Sequence, residues 1–252
     1  MELPHIAILG AMPEEIGQIT SQIENKEEKF FGDLKIIQGI WINKPKNNKI
    51  RLSIAWSGWG KVSSARAATR IISSAFGDKI DLLIFTGVAG AVSDSLKQWD
   101  LVIPSSLFQY DVDARPFFDK FVIPAIAKDH ISIEEKLISW AKITLIKALK
   151  DDPKLNIFGT VKIGKIATGD NFISDKNYLS NLKNQIPGLL AVEMEGAAVA
   201  QVAFQEQVPC LIIRTISDNA DEDAATSFDI FLKEYKFKSW FIIESLLNNF
   251  SY

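Results

Sequence analysis

The sequence predicts an α/β fold, a sheet covered by helices in a single domain. Three observations carry this. Short apolar strand-like runs alternate with segments of helical periodicity along the whole chain, the order that builds layered α/β domains. The 252 residues are 47 % hydrophobic, ample for a sizeable core. No stretch of Pro, Gly or Ser composition marks a linker, and no internal repeat is visible.

The elements follow in order. Residues 5–9 read as a short buried strand. Gly10 follows, and apolar residues at helical spacing, with Pro13 near their start, predict a helix over 12–24. Residues 30–42 and 50–56 read as strands, joined by a polar turn over 44–49. Gly58-Trp59-Gly60 introduces a helix from Val62 to about Ala75. Residues 81–85 form a strand, and Thr86-Gly87-Val88-Ala89-Gly90 reads as a tight loop after it. A strand over 100–110 precedes a long amphipathic helix over 133–149. Residues 156–167 alternate toward a strand, interrupted at Gly159 and Gly164. Short helices are expected over 178–186 and 195–204. A strand over 210–216 and one closing helix over 227–247 complete the chain.

Composition narrows the function. The formal net charge is -3, with no long charged block, so nucleic-acid binding has no electrostatic footprint. No run approaches the roughly 20 apolar residues of a membrane span. The first ten residues lack the pattern of a signal peptide. A soluble, cytoplasmic protein is expected, with neither membrane nor nucleic acid as partner. Cys210 is the only cysteine, which excludes an intrachain disulfide; in its apolar run it reads as a small buried hydrophobe. His5 and His130 stand far apart without ligand spacing around them, so no metal site is expected.

Two segments carry chemistry. In 189–200 the carboxylates of Glu193 and Glu195 interrupt an apolar run. A carboxylate buried there must be hydrogen-bonded, paired or functional, because burying it alone is costly. Either could also simply favour the first turn of a helix. The apolar strand over 210–216 carries Arg214 and leads into Ser217 and Asp218, and open α/β sheets put their active sites at such strand ends. Asp218 could equally cap a helix. Glu15, after Gly10-Ala11-Met12-Pro13-Glu14, reads by itself as an ordinary acid in a first helical turn. Gly10 lacks the spacing of the dinucleotide fingerprint, G-x-G-x-x-G.

Taken together the motifs say more. Gly10-Ala11-Met12, Ser57-Gly58-Trp59-Gly60-Lys61-Val62, Thr86-Gly87-Val88-Ala89-Gly90, Thr168-Gly169-Asp170-Asn171-Phe172-Ile173, Val192-Glu193-Met194-Glu195 and Ser217-Asp218 occur in this order. The chain resembles the bacterial 5'-methylthioadenosine/S-adenosylhomocysteine nucleosidases, of the nucleoside phosphorylase and hydrolase superfamily, over nearly its whole length. Ser227-Phe228-Asp229 fits as well. The resemblance implies a three-layer α/β/α domain around a mixed, twisted sheet. It also implies hydrolysis that releases adenine from a 5'-thio-substituted ribose. With Phe85 and Glu15 where phosphate-binding cations would be needed, turnover is expected without phosphate, metal or nicotinamide, and no cofactor is expected.

Roles follow from the resemblance. Asp218 would be the general acid toward adenine N7, positioned by Ser217. Glu15 would orient and deprotonate the attacking water. Such proton transfers contribute typically 10²–10⁴-fold. Glu195 would hold the ribose hydroxyls with the backbone of Met194, and its charge would favour an oxocarbenium-like transition state. Arg214 would lie near the water and the glutamates; a buried salt bridge to Glu193 or Glu195 is compatible with that place. Phe172 would stack on the base, and the backbone at Ile173 would read its edge. Phe228 would pack against the sugar, with Met12 and Trp59 near the 5'-thio group. Val88, Ala89 and Gly90 would line the pocket, where small residues let the backbone approach a ligand. Asp111-Val112-Asp113-Ala114-Arg115-Pro116-Phe117 resembles a segment donated to the partner's site across a homodimer. Ala114 and Phe117 match its apolar positions, and the 111–122 loop concentrates apolar surface that asks for burial.

Three features depart from the family. Trp59 stands where a smaller aliphatic residue is common, and Val88 where a serine is common. Arg115-Pro116 is atypical of the donated loop. These touch the 5' group more than the reaction, and they keep 5'-deoxyadenosine or a futalosine-type nucleoside as alternative substrates. A purine nucleoside phosphorylase fits worse. The regions that would supply phosphate-binding cations carry Pro13-Glu14-Glu15 and Phe85-Thr86, and phosphate beside Glu15 would be repelled. A non-catalytic nucleoside-binding protein would find the carboxylates dispensable.

Overall fold

The computed structural model describes residues 3–43, 46, 48–74, 79–220 and 224–250. At its centre, strand β1 (His5–Gly10) is buried at every position, as a strand covered on both faces must be. Its neighbours β4 (Asn48–Trp56) and β5 (Leu82–Ala91) run parallel to it. Beyond β4, β3 (Leu34–Asn43) and β2 (Ile23–Phe31) add two antiparallel strands. The charged, exposed β2 suits a sheet edge, where an apolar strand would invite pairing with other chains.

On the other side β5 is parallel to β10 (Cys210–Asp218), while its last residues, Gly90 and Ala91, pair antiparallel with β9 (Leu189–Glu193). β9 joins β8 (Val161–Thr168), β8 joins β6 (Leu101–Gln109), and β6 returns to β10. The short β7 (Ile131–Ser132) pairs with β6. The mixed sheet therefore curls until β5, β10, β6, β8 and β9 close a ring.

Helices cover this sheet in the α/β/α layering that the family resemblance implies. α2 (Lys61–Ser73) and α5 (Gly196–Gln205) pack together over it. α1 (Pro13–Ile16) seats against β1 and β5. α3 (Glu135–Asp151) and α7 (Ser239–Asn248) pack on each other, and α6 (Ala224–Tyr235) lies on β10. α4 (Lys176–Gln185) is capped by the Asp175 carboxylate, which accepts from the Asn177 and Tyr178 amides. One large apolar core runs through the sheet; a smaller one, with Phe108, Tyr110, Ile173, Leu182 and Val192, sits beneath α4.

Four expectations change. The helix over 12–24 ends at Ile16, because Gly17 takes a left-handed φ of 60°. A side chain at Gly17 would lie 2.7 Å from Ser239 Oγ, so this turn is also where α7 docks. Ile19 and Ile23 keep helical spacing, but they belong to a 3-10 turn and to β2. Second, the glycine-rich stretch over 86–90 is not a loop. β5 continues through it, paired with β10 from Gly87↔Arg214 to Gly90↔Asp218. Third, the closing helix over 227–247 is two helices, broken at 236–238 so that α7 can turn onto α1, where Ser239 Oγ donates to the Glu14 carbonyl at 2.8 Å. Fourth, the strand expected from residue 156 begins at Val161, preceded by a 3-10 turn over Pro153–Leu155. Lys44, Pro45 and Asn47 of the polar turn, and Ala75 at the expected end of α2, lie outside the described residues.

Candidate active site

The C-terminal ends of β1, β5, β9 and β10 meet at one pocket. Glu15 reaches it from α1 and is 3 % exposed. Its Oε2 accepts from the amides of Ala11 and Met12, the latter at 3.0 Å, and its Oε1 accepts from the Val88 amide at 3.2 Å. Those amides and the charge of Arg214 favour the carboxylate. Burial is the larger influence, and it raises the Glu15 pKa above the ordinary value.

Arg214 is 1 % exposed, in the middle of β10. Its Nε and Nη2 donate to Glu193 Oε2 at 3.1 and 2.6 Å, and its guanidinium lies over the Phe85 ring. Glu193 is already committed within the protein. Its Oε2 also accepts from the amides of Glu195 and Gly196 at 3.1 and 2.7 Å, and the Thr168 hydroxyl donates to its Oε1. Glu193 lies in the pocket wall, but its carboxylate serves Arg214 and the start of α5.

Glu195 is the residue before α5 and accepts from the Gly60 amide at 2.8 Å. Burial and then the neighbouring charge of Glu193 push its pKa to about 8, against the pull of Arg214. Gly60 can approach so closely because it has no side chain: it adopts a φ of 91°, and a Cβ there would press Asp170 Oδ1 at 3.0 Å. Asp170 and Asp111 tie this loop down. The Lys61 amide donates to Asp170 at 2.7 Å, and Lys61 Nζ pairs with Asp111 at 2.6 Å.

Asp218 ends β10. Ser217 Oγ donates to its Oδ2 at 2.6 Å, and the Ala220 amide to its Oδ1 at 2.7 Å. Gly90 backs it; a Cβ there would lie 3.0 Å from Asp218 Oδ1. Opposite these polar groups stands an aromatic rim. Phe228 from α6 meets Trp59 and Phe172 edge-on, with ring centroids 6.2 and 6.1 Å apart. Met12, Val88, Ala89, Ile173 and Met194 line the same pocket.

The structure thus gathers Glu15, Arg214, Ser217, Asp218, the two glutamates and the aromatic residues, from segments as far apart as α1 and α6. It does not bring Ala114 and Phe117 there. They lie on the 111–122 loop, where Phe117 is 87 % exposed. His5 and His130 also stand elsewhere: His5 of β1 bonds Ser53 of the neighbouring β4, and His130 bonds Asp129 at the surface. Sequence reasoning assigned no role to Thr168, to the Gly60 amide or to the Lys61–Asp111–Asp170 clasp. A hydroxyl at a strand end before Gly169-Asp170 was the one available signal for Thr168.

The class follows from comparison with known proteins. The family model described as the Phosphorylase superfamily matches residues 5–240, from β1 into α7. A 5'-methylthioadenosine/S-adenosylhomocysteine nucleosidase of Staphylococcus haemolyticus is 35 % identical over 96 % of this chain and 98 % of its own. The Neisseria meningitidis enzyme of that description, solved with methylthio-immucillin-A, is 31 % identical at a TM-score of 0.85, covering 98 % of this chain and 100 % of its own. The futalosine hydrolase of Helicobacter pylori is 34 % identical at a TM-score of 0.84, covering 98 % and 99 %. The chain belongs to the 5'-methylthioadenosine/S-adenosylhomocysteine nucleosidase family of that superfamily, and is an N-glycosyl hydrolase.

Proposed function

We propose that this enzyme hydrolyses the N-glycosidic bond of 5'-methylthioadenosine and S-adenosylhomocysteine, with Asp218 as acid and Glu15 as base. The carrying observation is the buried Glu15 carboxylate, faced by a guanidinium that Glu193 already engages. Phosphate in that place would meet the like charge of Glu15, whereas water would meet a base. Burial suits Glu15 to the role, since an ordinary carboxylate is too weak a base near neutral pH.

Adenine leaves readily only when N7 is protonated or strongly hydrogen-bonded. Asp218, oriented by Ser217 and Ala220, would give that proton, while Phe172 offers a face to the purine and Ile173 its backbone. Positive charge then develops on the ribose. Glu195 would accept hydrogen bonds from the ribose hydroxyls, whose donors favour its ionised form, and its negative charge would stabilise the developing cation. Phe228 would cover the sugar, with Trp59 and Met12 at the 5' side.

A homodimer completes the proposal, with Ala114 and Phe117 of the 111–122 loop closing the partner's pocket. The exposure of Phe117 and Phe118 supports it, because apolar surface of that kind asks for burial. The loop's root is held at Asp111 by Lys61. No helix among the described residues is long and apolar enough to cross a membrane, and a cytoplasmic place suits small soluble substrates. The likeness to a futalosine hydrolase supports a second substrate reading, a futalosine-type nucleoside cleaved by the same machinery.

The test is free adenine released from a panel of purified nucleosides in phosphate-free buffer with chelator. Turnover of both thio-nucleosides is expected. Strict dependence on phosphate, with a sugar 1-phosphate as product, would overturn the hydrolytic mechanism. Cleavage of a futalosine derivative alone would replace the substrate.

A further inference from the structure

We propose that Thr168 is a positioning residue: its hydroxyl, through Glu193, fixes the Arg214 guanidinium against Glu15. The inference rests on the reading of Glu15 as the base. Thr168 ends β8 and is fully buried. Its hydroxyl oxygen accepts from the Ala197 amide of α5 at 2.8 Å, and its proton is donated to Glu193 Oε1. That bond reserves one oxygen of Glu193, and Arg214 reaches only the other, with Nε at 3.1 Å and Nη2 at 2.6 Å. A guanidinium and a free carboxylate ordinarily meet as a two-oxygen fork. Here the fork is denied.

The consequence falls on Arg214 Nη1, which is buried and makes no hydrogen bond among the described residues. A Cβ on Gly87 would meet Nη1 at 2.6 Å and Glu15 Oε1 at 2.7 Å, so both groups converge on the space above Gly87. The glycine at this strand position leaves room for that approach. Among the described residues, and besides Arg214 from β10, the titratable groups facing Glu15 are Glu195 at the head of α5 and Tyr235 from α6; Glu193 of β9 stands behind Arg214. Arg214 is the only cation in this set. Where it sits therefore decides how much opposing charge the buried base feels. Without the Thr168 proton, Glu193 is free to turn both oxygens to Arg214 and draw its charge away from Glu15. The base would then hold its proton to a higher pH.

The experiment compares Thr168→Val, Thr168→Ser and Glu15→Gln, measuring kcat and KM for adenine release from methylthioadenosine across pH. Thr168→Val is expected to lower kcat about tenfold, the size of one lost charge-assisted hydrogen bond. KM should stay within about twofold, because other residues make the nucleoside contacts. The acid limb of kcat/KM should move to higher pH. Thr168→Ser keeps the hydroxyl and should restore both quantities. A Thr168→Val enzyme with unaltered kcat and pH profile, or a Thr168→Ser enzyme as impaired as the valine variant, overturns the proposal. Should Thr168→Val not fold, Glu193→Gln tests the same linkage with opposite sign. Arg214, relieved of its partner's charge, would act more strongly on Glu15, and the acid limb should move to lower pH; an unmoved limb overturns it. Glu15→Gln separates the two failures. If it stays active, the assignment of the base falls; if it is inactive while Thr168→Val is normal, only the role of Thr168 falls.

Discussion

The floor of the pocket and its rim are built on different physics. Glu15, Glu193, Glu195 and Asp218 form the floor, with Arg214 packed against Glu193, all buried and each held by backbone amides or by one another. Trp59, Phe172 and Phe228 form the rim, where Trp59 is 53 % exposed and the rings meet by edge contacts alone. The 111–122 loop is more exposed still. Buried polar groups have few alternative partners, so a change in the floor leaves a group unsatisfied. Rim residues can shift without that cost. The floor should therefore set whether the reaction runs, and the rim which nucleoside it runs on.

The largest expected effect lies in the floor. Asp218→Asn should reduce kcat on the order of 10²-fold or more with the fold intact, because an amide can donate a hydrogen bond to N7 but cannot deliver the proton. Near-normal turnover in that variant would remove Asp218 from the mechanism and blur the contrast between floor and rim. Next comes the loop. Phe117→Asp should weaken self-association roughly tenfold or more, with activity falling on dilution, as expected when a central aromatic contact is lost. Sedimentation of a fully active monomer would refute a shared site.

Trp59→Ile should change the ratio of kcat/KM between methylthioadenosine and S-adenosylhomocysteine while leaving the pH profile alone. Apolar pockets discriminate by about 1–3 kcal/mol per methylene, so about tenfold is the expected scale. Unchanged ratios on every substrate would make the indole a bystander. The last expected effect is on stability rather than on turnover. Burial and then the neighbouring Glu193 push the folded Glu195 pKa to about 8, against an ordinary 4.5. Between those values the folded chain keeps a proton that the unfolded chain has lost. The contribution is complete below about 4.5. It declines as pH rises toward about 8, and is constant beyond. Glu195→Gln should flatten that part of the Tm–pH curve, measured by calorimetry; an identical slope in both proteins would contradict it.

Much of this was legible in the chain. Strands over 5–9 and 210–216 and the helix over 195–204 carry their own periodicity, and the observed elements agree within a residue or two at each end. Glu195, Arg214 and Asp218 could be singled out as charges in or beside apolar runs, whereas Glu15 stood out only through the family resemblance. The failures share a cause. The glycines over 86–90 have the composition of a loop, yet they are glycines because Glu15, Arg214, Asp218 and Ala220 crowd them from other elements. Ile16, Ile19 and Ile23 keep helical spacing although Gly17 turns the chain where α7 docks. Glu193 and Glu195, two residues apart, take opposite tasks, one serving Arg214 inside the protein and the other facing the pocket.

By itself, then, the sequence determined the alternation of strands and helices, the covered sheet and the identity of the charged groups that had to be satisfied. These follow from the periodicity of neighbours and from the cost of burying charge. Only the tertiary structure decided which group satisfied which. The Gly60 amide meets Glu195 from 135 positions away, and Lys61 meets Asp170 from 109. The sheet closes because β10 finds β6 as well as β5. Such pairings depend on where the chain is brought together in space, and local periodicity carries no record of a partner a hundred residues distant.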